Sequence, residues 1–208
     1  MVSERGQAYT LEGFVGAMIV LTAMLFALQS VVLTPTTAGT VDQSVKTQLG
    51  TQANDLLRTA GSDGTLDDMI LYWNASGGFA YASSTETGYG SLPPCAPARS
   101  PDTVCDSFGQ ATNATFTERG FVYNLYVRYR TAPDPTETVT RRVVYRGVPS
   151  SNAVTATYTV VLYDDMTLTA PEDAGGANLG SLAENEFYAP DVDPGPVYNV
   201  VEVRMVVW

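Results

Sequence analysis

From Gly13 to Leu33 the chain carries no charged side chain, and its apolar positions, Phe14, Val15, Met18, Ile19, Leu21 and Leu25 among them, fall on every side of a helical projection. A helix that is apolar all round belongs in a core or in a bilayer. The run has 21 residues, and at 1.5 Å each it reaches about 30 Å, the thickness of a bilayer hydrocarbon core. A secretory signal peptide has a shorter apolar region, roughly 7–15 residues, closed by small residues at its cleavage site. Here the run meets Thr34-Pro35-Thr36-Thr37 instead, so the pattern predicts a membrane-spanning helix.

Beyond Leu33 the pattern changes to alternation between apolar and polar positions. Residues 34–39 hold Pro35 and Gly39 and predict a break, because proline lacks an N–H and excludes the helical conformation from the residue before it. Thr40-Val41-Asp42-Gln43 has the form of a capping box, and Val41, Val45, Leu49, Ala53 and Leu56 recur at helical spacing, so an amphipathic helix is predicted to about Thr59, ended by Gly61 and Gly64. A shorter helical piece follows, capped by Thr65 and burying Leu66, Met69, Ile70 and Trp73. Gly77 to about Thr112 is rich in Gly, Ser, Thr and Pro and reads as a long surface loop, with one short strand near Phe79-Tyr81. Strict alternation then sets in. Phe121, Tyr123, Leu125, Val127 and Tyr129 share one face of a strand, and Val139, Val143 and Tyr145 share a face of the next. Val154 to Tyr163 and Val197 to Trp208 complete at least four strands separated by turn residues. The expected class is α+β: a transmembrane helix, a second amphipathic helix, and an antiparallel sheet packed on that second helix.

Charge sharpens this picture. The 208 residues hold 22 Asp plus Glu against 11 Lys plus Arg, a net charge of −11, and Lys46 is the one lysine. Such a surface repels a phosphate backbone, so nucleic acid is not an expected partner. Acid-rich, lysine-poor composition suits high salt, which screens self-repulsion, and points to a halophilic, archaeal source. The absence of histidine removes the usual proton shuttle and the commonest metal ligand. Ser or Cys nucleophiles would lack their activating base, and none of the carboxylate runs (Asp164-Asp165, Glu172-Asp173, Glu184 with Glu186, Asp191 with Asp193) follows the twelve-residue calcium loop. No enzymatic activity, cofactor or metal is expected.

The long remainder after the span holds the features of an extracellular domain. Cys95 and Cys105 lie in one Pro-rich loop and are expected to join outside the cell. Asn74-Ala75-Ser76 and Asn113-Ala114-Thr115 are acceptor sequons for N-glycosylation beside loops. With Arg5 on the short preceding flank, the N-terminus is placed in the cytoplasm and the C-terminal domain outside.

The flank Ser3-Glu4-Arg5-Gly6-Gln7-Ala8-Tyr9-Thr10-Leu11-Glu12 sets a charged residue and a glycine directly before the span, with one carboxylate at its entrance. This order resembles the processing signal of type IV pilins and archaeal flagellum subunits, and Arg5-Gly6-Gln7 is similar to the haloarchaeal form. The resemblance covers about the first 33 residues. It implies a cut between Gly6 and Gln7 by a prepilin-type peptidase, and packing of the hydrophobic helix against other pilin-like subunits through the pilus assembly machinery. Glu12 would then be the sixth residue after the cut, where the bacterial pattern has its acid fifth. Independently of the family, a carboxylate there faces the positive end of a helix dipole, worth about 0.3–1 kcal/mol; in a filament it could pair with a neighbour's new ammonium. The expected plan is a leader at 1–6, a span and assembly helix at 7–33, a break at 34–39, and an acidic extracellular domain at 40–208, helical to 74, loop to 114 and β-rich beyond. The expected function is a pilin-like surface subunit held in the membrane lipid; the alternatives are a membrane-tethered surface or sensory domain that never polymerises and an extracellular module that binds glycans or ions.

Overall fold

The computed structural model describes residues 3–29, 36–74, 77–82, 84, 88–92, 107–132, 134–170, 178–183 and 186–208, with the backbone alone for 3–8, 27–29 and 36–42. The chain divides into two compact units, Met1–Gln43 and Ser44–Trp208. The first holds α1 (Ser3–Gln29), a single uninterrupted helix. The architecture is α+β, an N-terminal apolar helix followed by a domain with a C-terminal antiparallel sheet.

α2 (Thr36–Asp63) starts earlier than the capping box suggested. Thr36 to Gly39 are already helical, so Thr40 lies within the helix and does not cap it; Thr34 and Pro35 lie outside the described residues. Proline ends what precedes it but is tolerated where a helix begins. The buried stripe is Leu49, Ala53, Leu57 and Ala60, at steps of four, four and three. Leu57 rather than Leu56 points inward, and Val45 is 44% exposed, because the stripe follows the surface of the sheet beneath it. Gly61 does not stop the helix. A Cβ there would overlap the Tyr158 ring, so this glycine lets α2 approach the sheet closely.

The turn comes at Gly64, with φ +84, which leads into α3 (Thr65–Ile70). Thr65 is not the cap either: Asp63 Oδ1 accepts from the Thr65 amide at 3.0 Å and from its hydroxyl at 2.7 Å. Leu66, Met69, Ile70 and Trp73 are buried as their spacing implied. β1 (Trp73–Asn74) and β2 (Gly78–Phe79) form a small antiparallel pair. The stretch read as loop contains a further helix, α4 (Phe108–Thr115), whose N-cap Ser107 accepts from the Gln110 amide at 3.2 Å.

The main sheet consists of β3 (Tyr123–Arg130), β4 (Thr138–Val144), β5 (Val154–Tyr163) and β6 (Val197–Val207), in the order β4-β3-β6-β5 with every pair antiparallel. The last strand is therefore central, and Trp208 and Val122 exchange backbone bonds of 2.9 Å at its end. Tyr123, Leu125, Val127 and Tyr129 face inward with Val201, Val203, Met205 and Val207 opposite them, and this face shares one core with the α2 stripe. A bulge opposite Leu125 and Tyr126 turns both Val143 and Val144 inward, while Val139 is 43% exposed instead of buried. Two buried asparagines carry the ends of the sheet. Asn124 accepts from Arg146 N and donates to Gly147 O; Asn199 accepts from Arg130 N and donates to Pro190 O.

Candidate functional site

The N-terminal helix holds the processing and assembly residues that the sequence singled out. Gly6 and Gln7 lie within α1, in the first turns of a helix that begins at Ser3. Five residues on from Gln7, Glu12 stands exposed. From Tyr9 to Phe26 the helix is long and apolar enough to cross a membrane, and none of that window is buried among the described residues. Phe14, Met18, Ile19, Leu21 and Leu25 are all more than half exposed, a large apolar surface that water does not tolerate and lipid or neighbouring helices do. The one hydroxyl in the middle of the span is satisfied within it: Thr22 donates to Met18 O at 2.7 Å. Gly13 and Gly16 have open space above them, so a second helix could approach the backbone there.

The remaining sequence candidates lie in the second unit. Cys95 and Cys105 fall outside the described residues. Asn74 is the last residue of β1, and the rest of its sequon is likewise outside them. Asn113 sits inside α4 rather than in a loop, where its amide donates to Glu118 Oε1 at 3.1 Å and Thr115 donates to Ala111 O. A glycan there would take one of the two amide hydrogens and leave the other for Glu118.

Trp73 is 2% exposed. Its indole N–H donates to Glu186 O at 2.9 Å, Phe79 and Tyr188 meet it edge-on at 5.3 and 5.2 Å, and the Arg141 guanidinium covers it at 4.9 Å. The ring thus has no free face for a sugar to stack on. Burial pushes the Tyr188 and Tyr89 hydroxyls well up, away from ionisation.

The tertiary structure joins two carboxylate runs that the sequence kept apart. Asp164 and Asp165 follow β5, Asp191 and Asp193 precede β6, and the ends are tied by Asp164 N to Pro196 O at 3.1 Å. Loss of solvent raises the Asp164 carboxyl above its ordinary value, and repulsion from Asp191, Asp165 and Asp193 adds to the rise. Burial, then Asp191 and Asp164, push the Tyr198 hydroxyl up to about 12. Asp164 Oδ1 has no hydrogen-bond partner among the described residues, and no group of three or more acids among them is placed to hold a metal ion. Glu172 and Asp173 lie outside the described residues.

A family of unknown function, DUF7288, matches residues 5–207, and the chain belongs to that family. No curated protein and no solved structure matches it.

Proposed function

We propose that this member of DUF7288 is a type IV pilin-like subunit. It is cut after Gly6, anchored by α1 with its C-terminal domain outside the cell, and assembled with other copies or related subunits through that helix. The observation that carries the reading is the uncovered apolar window Tyr9–Phe26, entered by a lone carboxylate at Glu12 and preceded by Arg5-Gly6-Gln7. A cut on that side of the helix leaves the anchor attached to the domain, whereas a conventional signal peptidase cuts beyond the apolar region and releases it. Glu12, at the mouth of the helix, is the group available to pair with a neighbour's new N-terminal ammonium. The attraction between the two charges is stronger at the edge of the bilayer than in bulk water, against the cost of taking them out of water.

N-terminal sequencing together with the intact mass of the membrane-extracted chain tests the proposal. The mature protein is expected to begin at Gln7, Gly6→Val to block the cut, and Glu12→Ala to leave the cut intact while weakening assembly. A surface protein that begins at Met1 or Val2, or beyond Leu33, would overturn the reading in favour of a tethered or released domain.

A further inference from the structure

The outward face of the main sheet gathers positive charge in a protein of net charge −11. The register places Arg142, Tyr126 and Arg204 in one row across β4, β3 and β6, Arg128 in the next row beside Glu202, and Arg130 in the third. All four arginines are exposed. At about 4.8 Å between strands and 3.3 Å per residue, they share a patch of roughly 10 by 13 Å. Arg128 leans on Glu202 at 4.0 Å and donates to Thr138, while Arg142 lies over the Tyr145 ring at 4.3 Å. Arg130, Arg142 and Arg204 have no carboxylate partner among the described residues. Thr138, Thr140, Thr155, Thr157 and Thr159 on the same face are exposed and uncharged, and Val161 and Val200 lie at its far end, half-buried.

We propose that this arginine face seats the corner formed by Asp164, Asp165, Asp191 and Asp193 of a second copy of the chain, an inference that rests on the assembling-subunit reading above. The occupant follows from charge. Copies bearing −11 repel one another as wholes, so contact favours the place where one presents excess positive charge to a negative cluster on the next. The corner lies at the end of β5 and the start of β6, and the arginines lie on the face of the sheet. The two surfaces are different, so the contact is heterologous and a joined pair keeps one free face and one free corner: such a contact propagates, into a filament where the rotation does not close and a ring where it does. High salt weakens this contact less than it weakens the repulsion between whole copies. The screening length is about 10 Å at 0.1 M and about 3 Å at 1 M, whereas a forked guanidinium–carboxylate pair closes at about 2.7–2.9 Å. Long-range repulsion is thus screened more strongly than the direct pair, which salt weakens without selecting against it.

The test uses the full chain in its own membranes, with two differently tagged copies expressed together. One carries Arg204→Lys, which permits zero-length carbodiimide coupling to a touching carboxylate. The expected product is a peptide joining the new amine at position 204 of one tagged copy to Asp191 or Asp193 of the other. Adding Arg130→Glu to the first copy should lower this coupling about tenfold, the equivalent of 1.4 kcal/mol; Asp193→Arg in the other copy should restore it through Asp191, which also shows that the variants fold. Coupling confined to a single copy, coupling to another protein, or the same yield with Arg130→Glu would overturn the contact. Joined copies without a cut at Gly6 would instead remove the pilin-like reading and leave the contact standing, and the converse result would remove the contact alone.

Discussion

At Gly88 the backbone sits at φ +71 beside the edge of β4, where its neighbour Tyr89 donates to Val143 O at 2.7 Å. A Cβ there would overlap the Val143 carbonyl. Gly64 has a similar φ of +84 but open space around it. Gly64→Ala should therefore cost only the left-handed penalty, about 1–2 kcal/mol, and Gly88→Ala about 2–5 kcal/mol once the overlap is added. Urea unfolding of the two variants separates these, and equal costs would show that the edge contact contributes nothing. Charge at one residue gives a pH test. The Asp164 carboxyl is raised in the folded protein, so the folded form binds its proton more tightly than the unfolded form does. That group's contribution is fully present at low pH and is lost as pH rises from the ordinary value of 3.8 through the raised one. Asp164→Asn is expected to raise the melting temperature at neutral pH, with the gain vanishing in acid below 3.8. A gain that persists in acid would mean that the ionised Asp164 carboxylate is not its source.

Among the elements, α2 depends on which of its faces meets the sheet. Leu57 is fully buried in the shared core and Val45 is 44% exposed. Leu57→Ala is expected to cost about 2–5 kcal/mol, and Val45→Ala about 0.5 kcal/mol or less, read from thermal or urea melts. The reverse order would mean that α2 packs in another register. α4 illustrates a signal that was present but outweighed. Ser107 and Gln110 have the spacing of a capping box, and Phe108, Thr112 and Phe116 recur at intervals of four and are buried. The surrounding Gly, Thr and Asn have low helix propensity. Burial of Phe108 and Phe116 in the core, which the sequence does not announce, makes the helix worth forming.

On the scale of the whole molecule the proposed topology is directly measurable. With α1 spanning and the N-terminus inside, protease added to intact cells should remove the unit Ser44–Trp208 and leave a short membrane-bound fragment. Protection until lysis would reverse the sidedness. The same layout leaves the arginine face and the aspartate corner of every copy in the same compartment, the condition for copies to meet through them.

Local pattern alone determined the apolar helix, the second amphipathic helix, and the strands at 123–130, 154–163 and 197–207, because each depends only on the chain's own period and on which face is apolar. It could not order the strands, since pairing joins residues far apart in the chain: the central place of β6, the bulge that turns Val143 and Val144 inward together, and the choice of Leu57 over Leu56 all follow from what lies opposite. The same holds for the surfaces. The arginines at 128, 130, 142 and 204 and the aspartates at 164, 165, 191 and 193 are scattered in sequence as ordinary solvated charges. Only the antiparallel register of β4-β3-β6-β5 brings the first set onto one face and the second to one corner, because a sheet gathers side chains by strand pairing and not by sequence distance.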